Sequence, residues 1–318
     1  MHLDFFGEYP CHGATAATLM YDNERKQEMA EIEINGGYVV FEFVGPEDGE
    51  VVVLTPGGRF SKDFPGVRPL AEAMAAGGKR VLLWDRPNCG ASDVQLFGKS
   101  ESHMRAETLG LMVKELGIDS LIATGGSGGA RDTIVFTMMH PELVTKMALW
   151  SIVGGWESTM SLAGVYVLPE LRAVRSGGME AVIGLPGPAG SWADLIAANP
   201  RNRDRMVTFG AEEFERTMMR WLTSYVPKAN EAIPGVSDWE FDAINVPTLI
   251  IRGGEKDMDH PKRTSFEIHA LIKGSRLVEP PWPEDAWERA AEATAAGTGT
   301  LFDPWPQAAP VLLDFFDE

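Results

Sequence analysis

The sequence predicts an α/β fold: a mostly parallel, twisted sheet with helices on both faces, interrupted by a helical insertion. Three observations carry this prediction. Short apolar runs alternate with helix-compatible segments of about 12 residues, the pattern of right-handed crossovers between parallel strands. The alternation stops near Gly154-Gly155 and resumes at about residue 244. The composition is ordinary for a globular chain: 318 residues, 44% hydrophobic and 23% charged. Together they divide the chain into a core, residues 1–155 and 244–318, and a helical cap or lid, residues 156–243.

Residues 30–35 and 37–44 alternate in polarity around Gly36-Gly37 and predict a hairpin. Residues 51–55 (VVVLT) end at Pro56-Gly57-Gly58, as a buried strand does. The segment 65–78 reads as a helix closed by glycines. A strand at 81–84, a helix at 103–117, a strand at 120–124, a helix at 128–140 and a strand at 144–153 follow. Beyond them, residues 156–243 hold helix-like pieces such as 211–224, broken by Pro and Gly. A strand at 247–252, a helix at 263–273, a strand at 275–279 and a helix at about 306–317 complete the core. The stretch 279–318 carries nine acids and one base, Arg289, and reads as a solvated acidic surface.

The sharpest local feature is Gly125-Gly126-Ser127-Gly128-Gly129, between the apolar run LIAT and the helix-compatible ARDTIVFTMMH. A serine on a tight strand-to-helix turn needs small residues two positions before and after it, where side chains would meet strand and helix. Such a turn presents the Ser127 hydroxyl at the carboxyl end of the sheet, beside N–H groups that favour a developing oxyanion. A dinucleotide loop does not fit, because Arg131 stands where its third glycine should be. No Gly-Lys-Ser/Thr is present for a phosphate loop.

With this elbow, three further segments resemble the α/β-hydrolase superfamily, and within it proline-iminopeptidase-like and small-molecule-hydrolase sequences. They are Thr55-Pro56-Gly57-Gly58 after a strand; Trp84-Asp85-Arg86-Pro87-Asn88-Cys89-Gly90-Ala91-Ser92; and Arg252-Gly253-Gly254-Glu255-Lys256-Asp257 after a later strand. His140-Pro141-Glu142 after the elbow helix adds to the likeness. The resemblance covers residues 30–155 and 244–318. It implies Ser127 as nucleophile, the backbone N–H groups of Gly58 and Gly128 as oxyanion hole, and Asp257 as acid. Pro56 replaces the usual His of the His-Gly loop, a change the backbone donors further on tolerate.

A second departure is larger. The superfamily's base is a histidine after the last strand, yet residues 270–318 contain none. Glu284 lies nearest the vacant position by register, but a carboxylate with an ordinary pKa of about 4.3 is a weak base unless burial raises it. Among the histidines at 2, 12, 103, 140, 260 and 269, His260 is the candidate for a relocated base. It lies three residues after Asp257, with Asp257, Asp259 or Glu157 available to orient it. Alternatively, His260 caps the helix that begins at Pro261 or contacts the cap.

Arg59, Arg86 and Arg131 border the expected pocket. A guanidinium fork there suits a substrate carboxylate, or else pairs internally with acids such as Asp85 and Asp132. Of these, Arg59 and Arg131, with Trp156 of the cap, are expected to bind substrate. Trp and Met residues of the cap, Trp192 and Met218 among them, suit either an apolar roof or the cap's own core. Cys89 reads as a small packed residue. No metal is expected, since Asp257, Asp259 and His260 lack a second histidine at ligand spacing.

The expected activity is cofactor-free cleavage of an ester, lactone, amide or activated C–C bond in a small organic substrate, through an acyl-enzyme on Ser127. An aminopeptidase of the proline-iminopeptidase kind, a lyase or oxygenase, and a ligand-binding protein are alternatives on the same scaffold. The net charge of −18, from 28 bases against 46 acids, argues against nucleic acid. No run is apolar enough to span a membrane, and no secretory signal or lipidation motif is evident; two cysteines make no disulfide framework. A cytoplasmic protein is expected, and a homodimer is compatible with the sequence.

Overall fold

The computed structural model describes residues 30–187 and 190–318. Eight strands form one sheet: β1 (Ala30–Ile34), β2 (Gly37–Val44), β3 (Val51–Thr55), β4 (Arg80–Trp84), β5 (Leu121–Ser127), β6 (Val144–Ile152), β7 (Thr248–Ile251) and β8 (Arg276–Val278). Their spatial order is β1-β2-β4-β3-β5-β6-β7-β8. The β1–β2 and β2–β4 pairs are antiparallel and the others parallel. The hairpin turns at Asn35 and Gly36, φ 53° and 72°, one residue earlier than the Gly36-Gly37 expected. Two consecutive positive φ values make the primed turn that matches strand twist.

Strand alternation supplies two cores. Val53, Leu82 and Trp84 face one side of the sheet, under α2 (Glu101–Glu115), α3 (Gly128–Met139) and α8 (Lys262–Leu271). Val52, Leu54, Val81 and Leu83 face the other, under α1 (Val67–Ala76) and α10 (Ala309–Phe316). Neighbouring residues on one strand point to opposite faces, so a continuous apolar run is what a strand covered on both sides requires.

Between β6 and β7 the chain forms α4 (Gly155–Tyr166), α5 (Leu168–Ile183), α6 (Trp192–Ala198) and α7 (Arg201–Leu222). Gly177, Gly178 and Gly210 interrupt helical geometry within them. These helices enclose a third cluster, in which Trp192, Met206, Phe214, Met218 and Trp221 are buried together with Val94 and Met104 of the core. Trp192 and Met218 therefore build this block's interior.

One element differs from the expectation. Residues 286–295 form α9 (Ala286–Ala295), within the stretch read as acidic surface. Its buried positions are Ala286 and Ala290, with Trp287 partly buried beside them; Glu292 is exposed, whereas both Glu288 carboxylate oxygens are covered.

Candidate active site

The elbow forms as the glycine spacing requires. Ser127 ends β5 with φ 56° and ψ −131°, a backbone region that L-residues seldom occupy. A Cβ on Gly125 would lie 2.4 Å from the Gly129 carbonyl oxygen, and one on Gly129 would lie 2.1 Å from that of Thr55. Only hydrogen fits at either place, so strand and helix can close on the serine. Residues 57 and 58 lie against it: a Cβ on Gly57 would sit 2.8 Å from Ser127 Oγ, and one on Gly128 would sit 3.1 Å from the Gly58 nitrogen. The Gly58 amide thus faces the start of α3. Arg86 holds this loop, donating from Nη2 to the carbonyls of Gly57, Gly58 and Phe60 and from Nη1 to Asp132.

The loop after β7 supplies the partners of Ser127. Asp257 Oδ1 accepts from the backbone N–H groups of Asp259 and His260, at 3.0 and 2.8 Å, and curls residues 257–260 into a turn. The same carboxylate's Oδ2 lies 2.9 Å from His260 Nδ1. An ionised carboxylate only accepts, so Nδ1 carries the proton and Nε2 is left as the acceptor. His260 Nε2 stands 2.8 Å from Ser127 Oγ, within hydrogen-bond reach. His260 is 1% exposed, Asp257 5% and Ser127 9%. Burial alone would pull the imidazole pKa down. The adjacent Asp257 charge and hydrogen bond, with Asp259 beyond, overcome that and raise it above 6.5. Trp287 of α9 crosses the imidazole at 4.3 Å between ring centroids and 88° between planes.

Glu284 requires a correction. Its carboxylate is held by Arg252, at 3.1 and 2.8 Å, and accepts the Glu255 N–H at 2.9 Å. The Arg252 hydrogen bonds lower its pKa, the wrong direction for a base. It lines a cleft behind Asp257, with Trp282 and Trp287.

Arg59 is corrected too. It is 3% exposed, and its donors are spent on the protein: Nε on Glu101 at 3.2 Å, Nη1 on Glu170 at 3.0 Å and Nη2 on the Tyr166 carbonyl at 3.2 Å. Its guanidinium stacks 4.5 Å from the Trp192 ring. It joins the loop after β3 to the helical block instead of facing a ligand. Trp156 is 69% exposed, which removes it from any enclosed wall.

Arg131 differs from its neighbours. Arg59, Arg86 and Arg105 are all ion-paired to Glu101, Glu170 or Asp132. Arg131, 4% exposed, donates to the hydroxyls of Ser102 at 2.7 Å and Tyr225 at 3.3 Å and has no carboxylate partner among the described residues. Cys89 is buried, with a thiol pKa raised by desolvation, as suits a packed residue. His103 and His140 lie at the ends of helices and His269 within one. His2, His12 and Cys11 lie outside the described residues. Sequence reasoning missed Trp287, which carries no local signal. Arg86 pairs with Asp132 and with backbone carbonyls, the internal alternative that its sequence context left open.

Comparison with solved structures places this geometry in a known fold. A hydrolase from Pseudomonas aeruginosa aligns over 92% of this chain and 100% of its own, with a TM-score of 0.57 and 16% identity. The enol-lactonase from Burkholderia xenovorans aligns over 91% and 100%, with a TM-score of 0.57 and 20% identity. The chain has the α/β-hydrolase fold. In sequence it is 38% identical over 96 residues to a 2-hydroxy-6-oxononadienedioate/2-hydroxy-6-oxononatrienedioate hydrolase of Klebsiella pneumoniae. That alignment covers 30% of this chain and 31% of the relative; the chain spans less than half the length of the curated relatives it matches. No family model matches it. No helix among the described residues is long and apolar enough to cross a membrane.

Proposed function

We propose that the protein is a cofactor-free serine hydrolase acting on an ester, lactone or activated C–C bond of a small organic molecule. The observation that carries this reading is the contiguous chain Ser127 Oγ, His260 Nε2, His260 Nδ1, Asp257 Oδ2, with spacings of 2.8 and 2.9 Å across its two hydrogen bonds. In an ester, Ser127 Oγ forms a bond to the carbonyl carbon while its proton passes to His260 Nε2. Asp257 stabilises the resulting imidazolium and keeps the ring's tautomer. The carbonyl π electrons move to oxygen, where the Gly58 and Gly128 amides receive the charge. His260 then returns the proton to the leaving alkoxide, and water, deprotonated by the same nitrogen, releases the acyl group.

Arg131 is proposed to bind a substrate carboxylate. It lies one helical turn from the nucleophile, and a buried guanidinium without a paired carboxylate invites an anion. Relatives named for dioate substrates agree with that chemistry. Residues 156–243 are proposed as the cap over this site, the small substrate as the partner, and the cytoplasm as the compartment. A homodimer stays compatible with this reading.

Fluorophosphonate labelling tests the proposal. One adduct per chain on Ser127, lost in Ser127→Ala, is expected; folded protein that takes no label refutes it. A panel of nitrophenyl esters, with and without a distal carboxylate, then reads acyl size and the Arg131 contribution.

A further inference from the structure

We propose that Tyr166, at the end of α4, is a third hydrogen-bond donor to the oxyanion, supplied by the helical block and aimed by Arg59. This rests on the serine-hydrolase reading above. A Cβ built on Gly58 would lie 2.7 Å from the Tyr166 hydroxyl oxygen, so the phenol sits directly on the residue whose amide faces α3. Fixed bond lengths then put that oxygen within roughly 5 Å of the Gly58 nitrogen. A separation of that size leaves room for one acceptor oxygen to meet both donors.

The Tyr166 hydroxyl has no hydrogen-bond partner among the described residues. Burial, opposed by Arg59, pushes its pKa up to about 12, so it keeps its proton. The side chain is also aimed. Arg59 follows Gly58 in the chain, donates to the Tyr166 carbonyl at 3.2 Å and lies 5.3 Å from the centre of its ring. Glu101 and Glu170 fix Arg59 in turn. Loop, arginine and tyrosine are therefore tied together.

In the reaction no proton leaves Tyr166. As the Ser127 Oγ–carbon bond forms and the π pair moves to oxygen, the phenol O–H shares the new charge with two backbone amides. The donation strengthens only as the charge develops, so it acts on kcat more than on KM.

The test is Tyr166→Phe, which removes one oxygen and keeps the ring. With a nitrophenyl ester that the wild type turns over, kcat should fall about 30- to 300-fold, close to the loss of one oxyanion donor. KM should stay within about threefold, and inhibition by a phenylboronic acid should weaken in step with kcat/KM. A kcat within about threefold of wild type overturns the inference. Should the variant fail to fold, a crystal structure of the wild-type boronate adduct decides. A boronate oxygen within about 3.2 Å of the phenol supports the proposal, and a separation beyond about 4 Å overturns it. Fluorophosphonate labelling separates the two levels: label on Ser127 with an unchanged kcat in Tyr166→Phe removes this inference alone, while absence of label removes the hydrolase reading beneath it.

Discussion

The loop after β7 reaches Ser127 and the segment after β8 reaches the far side of His260, and the two contribute different chemistry. The β7 loop carries an acid and an imidazole three residues apart, prearranged because Asp257 accepts two backbone N–H groups of its own turn. The β8 loop, where resemblance to the superfamily leads one to expect the base, carries Glu284, pinned to Arg252, and then an indole against the imidazole. The difference teaches that an imidazole's place in space, and not its place in the sequence, decides what it can reach: the end of β7 brings His260 to Ser127. Gly253 makes that possible: a Cβ there would lie 2.0 Å from the His260 carbonyl oxygen, so only glycine lets the β7 loop fold back so tightly.

The comparison can be broken by exchanging which loop matters. His260→Ala should lower kcat by about 10⁵- to 10⁶-fold, the scale of losing the base of a triad. Survival of turnover within about tenfold would return the role to another residue. Asp257→Asn should cost about 10⁴-fold, since an amide no longer holds the tautomer. Steady-state kinetics on a nitrophenyl ester, with folding verified by circular dichroism, reads both.

The pH profile sharpens it. With His260 as the proposed base, the form that accepts the proton is the neutral one, so kcat/KM should rise with pH through an apparent pKa above 6.5, because Asp257 raises the imidazole pKa in spite of burial. The same shift has a stability consequence of opposite sense. A histidine whose folded pKa is raised contributes stability present below about 6.5, the unfolded value, and lost as pH climbs through the folded value. An activity profile whose apparent pKa lies below 6.5 would contradict the Asp257–His260 pairing.

Smaller effects belong to the β8 side. Trp287→Ala should lower kcat about tenfold by loosening the imidazole, with Trp287→Phe recovering most of it, if this indole fixes the ring. An effect below about twofold would leave Trp287 as packing only. Glu284→Gln should leave kcat/KM within about twofold and cost at most about 1 kcal/mol in urea unfolding, because Glu284 is itself nearly half exposed and Glu279 still pairs with the buried Arg252. A loss above about 100-fold there would restore Glu284 to the chemistry.

The alternation of runs and helices was legible because burial on both faces makes strands continuous in apolarity, with helix-length segments between them. The elbow was legible for an equally local reason: glycines two positions either side of Ser127 are demanded by steric contact inside ten residues of chain. Asp257 and His260 were legible as neighbours, though their orientation was not. Helix α9 was masked by the acids around it, although Ala286, Trp287 and Ala290 give it an inner face. The role of Arg59 was misread for an electrostatic reason. A loop arginine beside a pocket looks like a ligand clamp until Glu101 and Glu170, 42 and 111 residues away, consume its donors.

The sequence by itself determined the architecture and the bend at Ser127, because both follow from periodicity and from where a Cβ cannot fit. Tertiary structure alone decided which charged groups are spent on one another and which face Ser127. Pairings such as Ser127–His260, 133 residues apart, depend on how strand ends converge in space, and no local pattern encodes that distance.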